Sequence, residues 1–152
     1  MAGITSALCT SFKVELLEGD HDFNNGADAF KVALFKANAS ITGTYDASTT
    51  NYSNVTGNSD ELPNGSGYTT GGYALTNVNP TSTGTTAFTD FSANAAWSSA
   101  TFTTRGCMIY NTSDGNSAVA VINFGADYSV SGGTFEIQWP TADSSNAIIR
   151  IA

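Results

Sequence analysis

The chain has 152 residues, which is long enough for one domain with a single sizeable core. It carries 5 basic and 13 acidic residues and a formal net charge of −8, yet only 12% of its residues are charged. Serine, threonine and asparagine supply 52 residues, so the polar surface is mainly neutral. Because 41% of the residues are hydrophobic, the composition excludes an intrinsically disordered chain.

Charge and hydropathy also exclude several classes of partner. The basic residues are scattered and cannot form the cationic stripe that binds nucleic acid: Lys13, Lys31, Lys36, Arg105 and Arg150. The net negative charge repels anionic lipid, and no apolar run approaches the roughly 20 residues that span a bilayer. The first residues show no secretory signal. We therefore expect a protein made in a cytoplasm that binds neither nucleic acid nor membrane.

Residues 4–18 are predicted to form an N-terminal helix, the one helix of the chain. Apolar side chains recur there at intervals of four, at Ile4, Leu8, Phe12 and Leu16. Thr5 and Ser6 can cap its start, and Gly19 follows its last periodic residue. The pattern indicates an amphipathic helix with one face on the core.

From about residue 28 onwards the sequence alternates between apolar and polar residues and is rich in turn signals. Strands are predicted near 29–37, 73–77, 86–91, 100–110, 117–124, 135–139 and 147–151, with a connection at 125–133. Asp114-Gly115 marks a hairpin turn. Seven or eight strands at this spacing predict an all-β fold, an antiparallel β-sandwich of jelly-roll or Ig-like type over about 28–152. No linker divides the chain, so 1–152 is predicted to be a single domain.

Residues 38–72 form a long polar segment with repeated turn signals, which predicts a functional or poorly ordered loop. Tyr45, Tyr52 and Tyr68 lie in it. Tyrosine among serine, asparagine and glycine supplies rigid contact area at low entropic cost. These three tyrosines are therefore the candidate partner-binding residues.

The cysteines and the histidine give no sign of a metal site or another cofactor. Cys9 and Cys107 lie in apolar stretches, where free thiols are typically buried, and a disulfide between them is disfavoured in a reducing compartment. His21 lies in a hydrophilic connection with no predicted orienting partner, in a segment that only partly matches a calcium loop. Two cysteines and one histidine have no zinc-site spacing.

Catalytic chemistry is weakly supported by the sequence. A pair of acids for glycoside hydrolysis would have to come from Asp90, Glu136 or Asp143, and nothing in the sequence brings two of them together. No nucleophile motif or phosphate-binding glycine loop is present. We expect a protein that is not an enzyme.

Seven segments carry a resemblance that spans nearly the whole chain: 4–13, 30–35, 67–72, 97–100, 105–111, 119–125 and 147–151. They resemble a family of small virion structural proteins of tailed bacteriophages. The resemblance implies many symmetry-related copies, or a homo-oligomer, in contact with the major capsid protein or other virion proteins. It implies no catalytic residue.

Within that family, the resemblance favours a capsid decoration (cement) protein on the surface of the virion, which binds and stabilises the shell of the major capsid protein. A tail or head–tail connector component is the alternative. A carbohydrate-binding adhesion module and a glycosidase-like enzyme are the alternatives from other functional classes.

Overall fold

The computed structural model describes residues 2–152, in which ten strands and three helices form a mostly β, antiparallel fold. The strands are β1 (Gly3–Ile4), β2 (Ala7–Leu8), β3 (Phe30–Lys36), β4 (Thr44–Tyr45), β5 (Tyr73–Ala74), β6 (Thr81–Thr83), β7 (Thr86–Thr89), β8 (Ala95–Asn111), β9 (Ser117–Ile137) and β10 (Ile149–Ile151). The helices are α1 (Thr10–Glu18), α2 (Ala39–Thr42) and α3 (Ser53–Gly57). Within residues 2–152, no helix is both long enough and apolar enough to cross a membrane.

A five-stranded sheet in the order β2-β9-β8-β3-β5 forms the centre of the molecule, and all its pairings are antiparallel. The predicted hairpin turn is confirmed, because it joins β8 to β9. β9 continues through the predicted connection at 125–133, so two predicted strands are one long strand. Residues 128–131 of that segment pair with β8, while its turn signals at Gly125 and Gly132 mark bulges within the strand.

Two smaller sheets complete the fold. β10, β7 and β6 form an antiparallel three-stranded sheet, and β1 pairs in parallel with β4. The prediction of a mostly β fold with antiparallel sheets is confirmed. The additional strands β1, β2 and β6 are two or three residues long, which is too short to leave an alternating pattern in the sequence.

The N-terminal helix is shorter than predicted. Helix α1 begins at Thr10, with Cys9 in the N-cap position, so Thr5 and Ser6 do not cap it. The predicted first turns are the strands β1 and β2, because Ile4 lies beside β4 and Leu8 beside β9. Satisfying backbone groups on these strands outweighs the four-residue periodicity. The predicted end is confirmed, since the N–H of Gly19 donates to Leu16 O (3.3 Å).

The segment 38–72 is more ordered than predicted, since α2, β4 and α3 all lie within it. The prediction of one helix is therefore corrected to three. Its backbone also joins the rest of the fold, with the Lys36 N–H donating to Asp60 O (2.8 Å) and the Leu62 N–H to Leu34 O (3.0 Å). The segment covers the end of β3.

The hydrophobic core is centred on β3 and the neighbouring half of the β8–β9 hairpin, and it extends to Ala95, Trp97 and Ala100 on the other half of β8. Its largest fully buried apolar side chains are Phe12, Phe30, Leu34, Phe35, Met108 and Ile109. Both cysteines are free and buried, as predicted. Burial raises the pKa of the Cys9 thiol to about 12 and also raises that of Cys107, so both thiols are unreactive at neutral pH.

Candidate interaction surface

The β8–β9 hairpin is divided by a large bulge. Residues 104–106 of β8 face residues 123–128 of β9, so the chain of β9 is longer at this point. Arg105 and Asp127 lie at the bulge and form an ion pair, with Nη1 3.3 Å from Oδ1. The bulge separates the half of the hairpin that pairs with β3 from a distal half. We call the distal half, residues 95–104 and 128–137, the arm.

The outer edge of β9 is covered along only part of its length. β2 pairs with residues 120–121, and the Ala118 N–H donates to Thr50 O (3.0 Å). The last support on this side is at Asn123, whose N–H donates to Ser6 Oγ (2.9 Å). In the described chain, no strand pairs with the outer edge from 124 to 137. The arm therefore ends in a long open sheet edge.

A row of aromatic rings runs from the core to this edge. Trp97 and Phe102 on β8 lie 5.9 and 5.5 Å from the ring of Phe135 on β9. Phe124 lies 6.2 Å from Phe135 and 6.1 Å from Tyr128, which is 51% exposed. The rings contact each other in tilted and edge-to-face geometry, which fixes the outer ones against the inner ones.

These rings form part of an open apolar groove of about 400 Å³. Its main walls are Phe124, Tyr128, Phe135, Ile137, Trp139 and Ile148. The indole N–H of Trp139 donates to Ala93 O (3.0 Å), which holds that ring in place. The consecutive residues 135–138 all line the groove. Phe135 and Ile137 are two residues apart and share one face of the sheet, so the groove lies on that face at the edge of β9.

The arm carries a single charge. Glu136 is its only ionisable acid or base other than tyrosine, and no basic residue occurs from 124 to 140. The Glu136 carboxylate accepts hydrogen bonds from the amides of Asn94 (3.2 Å) and Gln138 (2.9 Å), and it is exposed. The chemistry of this surface is therefore an apolar groove, unpaired backbone groups and one fixed carboxylate.

The three tyrosines predicted to bind a partner point inward. Tyr45 is 0% and Tyr68 3% exposed, and Tyr52 is half-buried. The hydroxyl of Tyr45 donates to Asp60 Oδ2 (2.5 Å), and those of Tyr68 (2.7 Å) and Tyr52 donate to Glu61. We call these five residues the carboxylate cluster. Covered side chains offer no contact area in this conformation, so the structure does not support the predicted contact role of Tyr45 and Tyr68.

The cluster is closed by further donors. Glu61 also accepts from the Gly71 N–H (2.7 Å), and Asp60 from the hydroxyl of Thr42. Desolvation by burial, reinforced by the carboxylate partners, raises the pKa of Tyr45, Tyr52 and Tyr68. Each carboxylate thus has several donors, which is the condition for burying such a group stably.

His21, predicted to lack an orienting partner, is buried with both ring nitrogens hydrogen-bonded. Nδ1 accepts from the amide of Asn111 (2.9 Å), which assigns the ring proton to Nε2 and makes it the donor to Glu15 Oε2 (2.9 Å). The same amide donates to Asp28 Oδ2 (2.8 Å). The ring lies 5.0 Å from that of Phe12. His21 therefore ties α1 to the β8–β9 turn.

One group of described residues could share a cation. Single ligand atoms of Glu15, His21 and Asp114 all lie within 4.8 Å of one another. A cation there would have to displace Glu15 or Asn111 from the imidazole, because each already holds one of its nitrogens.

The three candidate catalytic acids lie in different hydrogen-bonded settings. Asp90 is buried and accepts from the backbone N–H groups of Phe91 (2.8 Å) and Ile148 (3.2 Å), and burial raises its pKa. Asp143 closes an exposed turn, where hydrogen bonds led by that from Asn146 lower its pKa. Glu136 lies on the arm. No hydrogen bond described for residues 2–152 joins any two of these three acids.

Comparison with known proteins gives no significant match, whether to a family model, a curated protein or a solved structure. The resemblance to phage structural proteins therefore remains a prediction from the sequence.

Proposed function

We propose that the chain is a structural protein of a tailed bacteriophage virion, and specifically a capsid decoration protein that binds and stabilises the shell of the major capsid protein. The observation that carries this proposal is the open edge of β9 with its apolar groove. Aromatic side chains beside unpaired backbone are the surface chemistry of protein–protein contact. The sequence resemblance independently supports a virion location.

The remaining surface suits an assembly that covers it. A neutral serine, threonine and asparagine surface offers donors and acceptors without strong long-range attraction to unrelated partners. The net charge of −8 repels free copies from one another and from packaged DNA. A ligand that binds the assembled shell and not its free subunits stabilises the shell by mass action, so many weak contacts suffice.

We also propose the β-sandwich arrangement, with the sheet of β10, β7 and β6 packed over the five-stranded sheet. Phe91, which follows β7, lies 6.1 Å from the ring of Phe30 on β3. Ile149 of β10 belongs to the same buried cluster as Phe30. These contacts support a common core between the two sheets.

Copy number in purified virions tests the function. Quantitative mass spectrometry against the major capsid protein should give a ratio near one, or one copy per few shell proteins. About a dozen copies per virion would instead indicate the tail or head–tail alternative, since oligomers at the tail axis are small symmetric rings. Absence of the chain from virions would overturn both.

A carbohydrate-binding adhesion module is the second candidate, favoured by a polar concavity of about 550 Å³. Hydroxyl and amide groups line it, from Ser48, Thr49, Thr50, Ser53, Asn54 and Asn58. Such groups match the hydroxyls of a neutral sugar. A glycan array with purified protein tests this candidate: binding that is lost in Asn58→Ala would support it, and an array without binding would remove it.

A further inference from the structure

We propose that the outer edge of β9, residues 124–137, receives an extended segment of another protein, which adds to the sheet as a strand and places a lysine or arginine beside Glu136. This inference deepens the proposed function, on which it rests, by naming the chemistry of the partner at the open edge. Three properties of the edge carry the inference.

The first property is the unpaired backbone. β9 forms its ladder with β8 on one side, whereas β2 covers only residues 120–121 on the other. Long open edges present rows of N–H and C=O groups and are templates for another strand. Proline and charge, which commonly protect natural edges, are absent from 128–135, and the bulge at Gly132 divides this edge into 128–131 and 133–137. Strand addition satisfies these backbone groups with little dependence on the partner's sequence.

The second property is the position of the groove, which makes binding depend on the sequence of the partner segment. Residues 135–138 line it together, so it opens at the edge where an added strand would lie. Every second side chain of an added strand points to one face of the sheet. Aliphatic side chains at those positions would enter the groove against Phe135 and Ile137. The partner segment is therefore alternating, with apolar residues at every second position.

The third property is charge, which distinguishes a foreign segment from a second copy. Asp127 and Glu136 are the only charged residues from 124 to 140, and Arg105 already binds Asp127. In a symmetric pair of β9 edges, neither Glu136 would find a cation within the edge of the other copy. Both copies would also carry a charge of −8. A segment with a lysine or arginine complements Glu136 and this overall charge.

A synthetic peptide tests the inference without a virion. The probe is acetyl-Thr-Val-Lys-Val-Thr-Val-Lys-Val-amide, added to the full-length ¹⁵N-labelled protein. We expect amide shift changes and slower hydrogen exchange confined to 124–137 and the groove. The same peptide with glutamate for lysine should bind about fivefold to tenfold more weakly, since a favourable charge pair becomes repulsive. A version N-methylated at alternate residues should not protect the edge amides.

Two charge-reversal variants test whether Glu136 itself contributes to peptide binding. Glu136→Lys should weaken binding of the lysine peptide about fivefold and improve that of the glutamate peptide. Glu18→Lys is the control, since Glu18 is exposed at the end of α1, and it should change neither. Both residues are exposed, so both variants should fold, which the unshifted amides outside the arm would verify.

Three outcomes would overturn the inference: no response of the edge amides, a response located elsewhere, or equal binding of the N-methylated peptide. A dimer in sedimentation with these amides already protected would assign the edge to a second copy and would also overturn it. Failure of the virion copy count would leave a positive peptide result standing. A negative peptide result would leave the copy count unaffected, so the two proposals fail separately.

Discussion

The carboxylate cluster and the arm place similar side chains in opposite settings. In the cluster, Glu61 is buried and accepts from two tyrosines and a backbone N–H. On the arm, Glu136 is exposed and accepts from two surface amides. The tyrosines of the cluster are largely covered, whereas Tyr128 stands half-exposed beside an open groove.

The comparison indicates that the carboxylate cluster contributes to the stability of the fold and that the open edge of the arm contributes to binding. A segment rich in serine and asparagine closes over the end of β3 through a network in which each buried carboxylate has donors. A segment of alternating apolar residues, which usually builds cores, is left open on the arm. We therefore expect substitutions in and around the cluster to affect folding, and substitutions of the exposed residues of the arm to affect association.

The largest effect is expected from a pair of glycines that differ in their surroundings. A Cβ on Gly72, beside the cluster, would lie 2.0 Å from the backbone oxygen of Val32, whereas one on Gly132 of the arm would meet nothing within 4 Å. Both glycines have positive φ, so Gly132→Ala measures backbone strain alone, about 1 kcal/mol.

Gly72→Ala adds a clash with backbone to the same strain, and we expect a loss above about 4 kcal/mol or failure to fold. Urea unfolding of both variants measures the difference. Equal losses in the two variants would contradict the separation between a tightly packed cluster and an open arm.

Glu61→Ala and Glu136→Ala compare the same substitution in the two regions. Removing the Glu61 carboxylate leaves the hydroxyls of Tyr52 and Tyr68 and the Gly71 N–H without an acceptor, which we expect to cost about 3 kcal/mol. Glu136→Ala should change the free energy of unfolding by less than about 0.5 kcal/mol. Equilibrium urea denaturation near pH 7 measures both. A loss below about 1 kcal/mol for Glu61→Ala would mean that water satisfies the cluster.

Alkaline pH should destabilise the carboxylate cluster. Burial raises the pKa of Tyr45, Tyr52 and Tyr68 above the ordinary value of 10. The unfolded chain therefore releases these protons at lower pH than the folded chain. The stabilisation is complete below pH 10 and is lost as pH rises from 10 through the raised pKa values.

Each fully buried tyrosine costs about 1 kcal/mol between pH 10 and 11, because the unfolded phenol is half-titrated at about pH 10 and the slope approaches its limit of about 1.4 kcal/mol per pH unit only at higher pH. Tyr45 and Tyr68 together therefore remove about 2 kcal/mol over this interval. Urea unfolding at pH 8, 10 and 11 measures the loss, and Tyr68→Phe should reduce it by about 1 kcal/mol. A flat profile to pH 11 would show that the pKa values of these phenols are not raised in the folded chain.

The sequence predicted what depends on local pattern. The β8–β9 turn, β3 and the end of α1 at Gly19 all follow from signals within a few residues. The strands β1 and β2 were missed because they form through pairing with distant segments, which leaves no periodicity in two residues. The polar composition of 38–72 similarly predicted that its tyrosines are exposed. Composition does not reveal that the carboxylates of Asp60 and Glu61 are buried and accept hydrogen bonds from the tyrosine hydroxyls.

The arm shows the complementary limit. Alternation correctly indicated that Phe135 and Ile137 share a face of a strand. It could not show whether that face is covered, because covering depends on which other element reaches it. The groove and the open edge are therefore properties of the tertiary fold, and no residue pattern in the sequence marks them.

The smallest effect on stability is expected at Tyr128, and its size decides whether the arm is open in solution. Its ring is 51% exposed and contacts Phe124 edge-to-face at 6.1 Å, so little buried area is lost in Tyr128→Ala. We expect a change below about 0.5 kcal/mol in the free energy of unfolding, against about 3 to 5 kcal/mol for the same substitution at the buried Tyr45. Urea unfolding of both variants at one protein concentration gives the comparison. A cost above about 2 kcal/mol for Tyr128→Ala would mean that the groove is closed in the free protein, because only a ring covered on both faces loses that much on truncation.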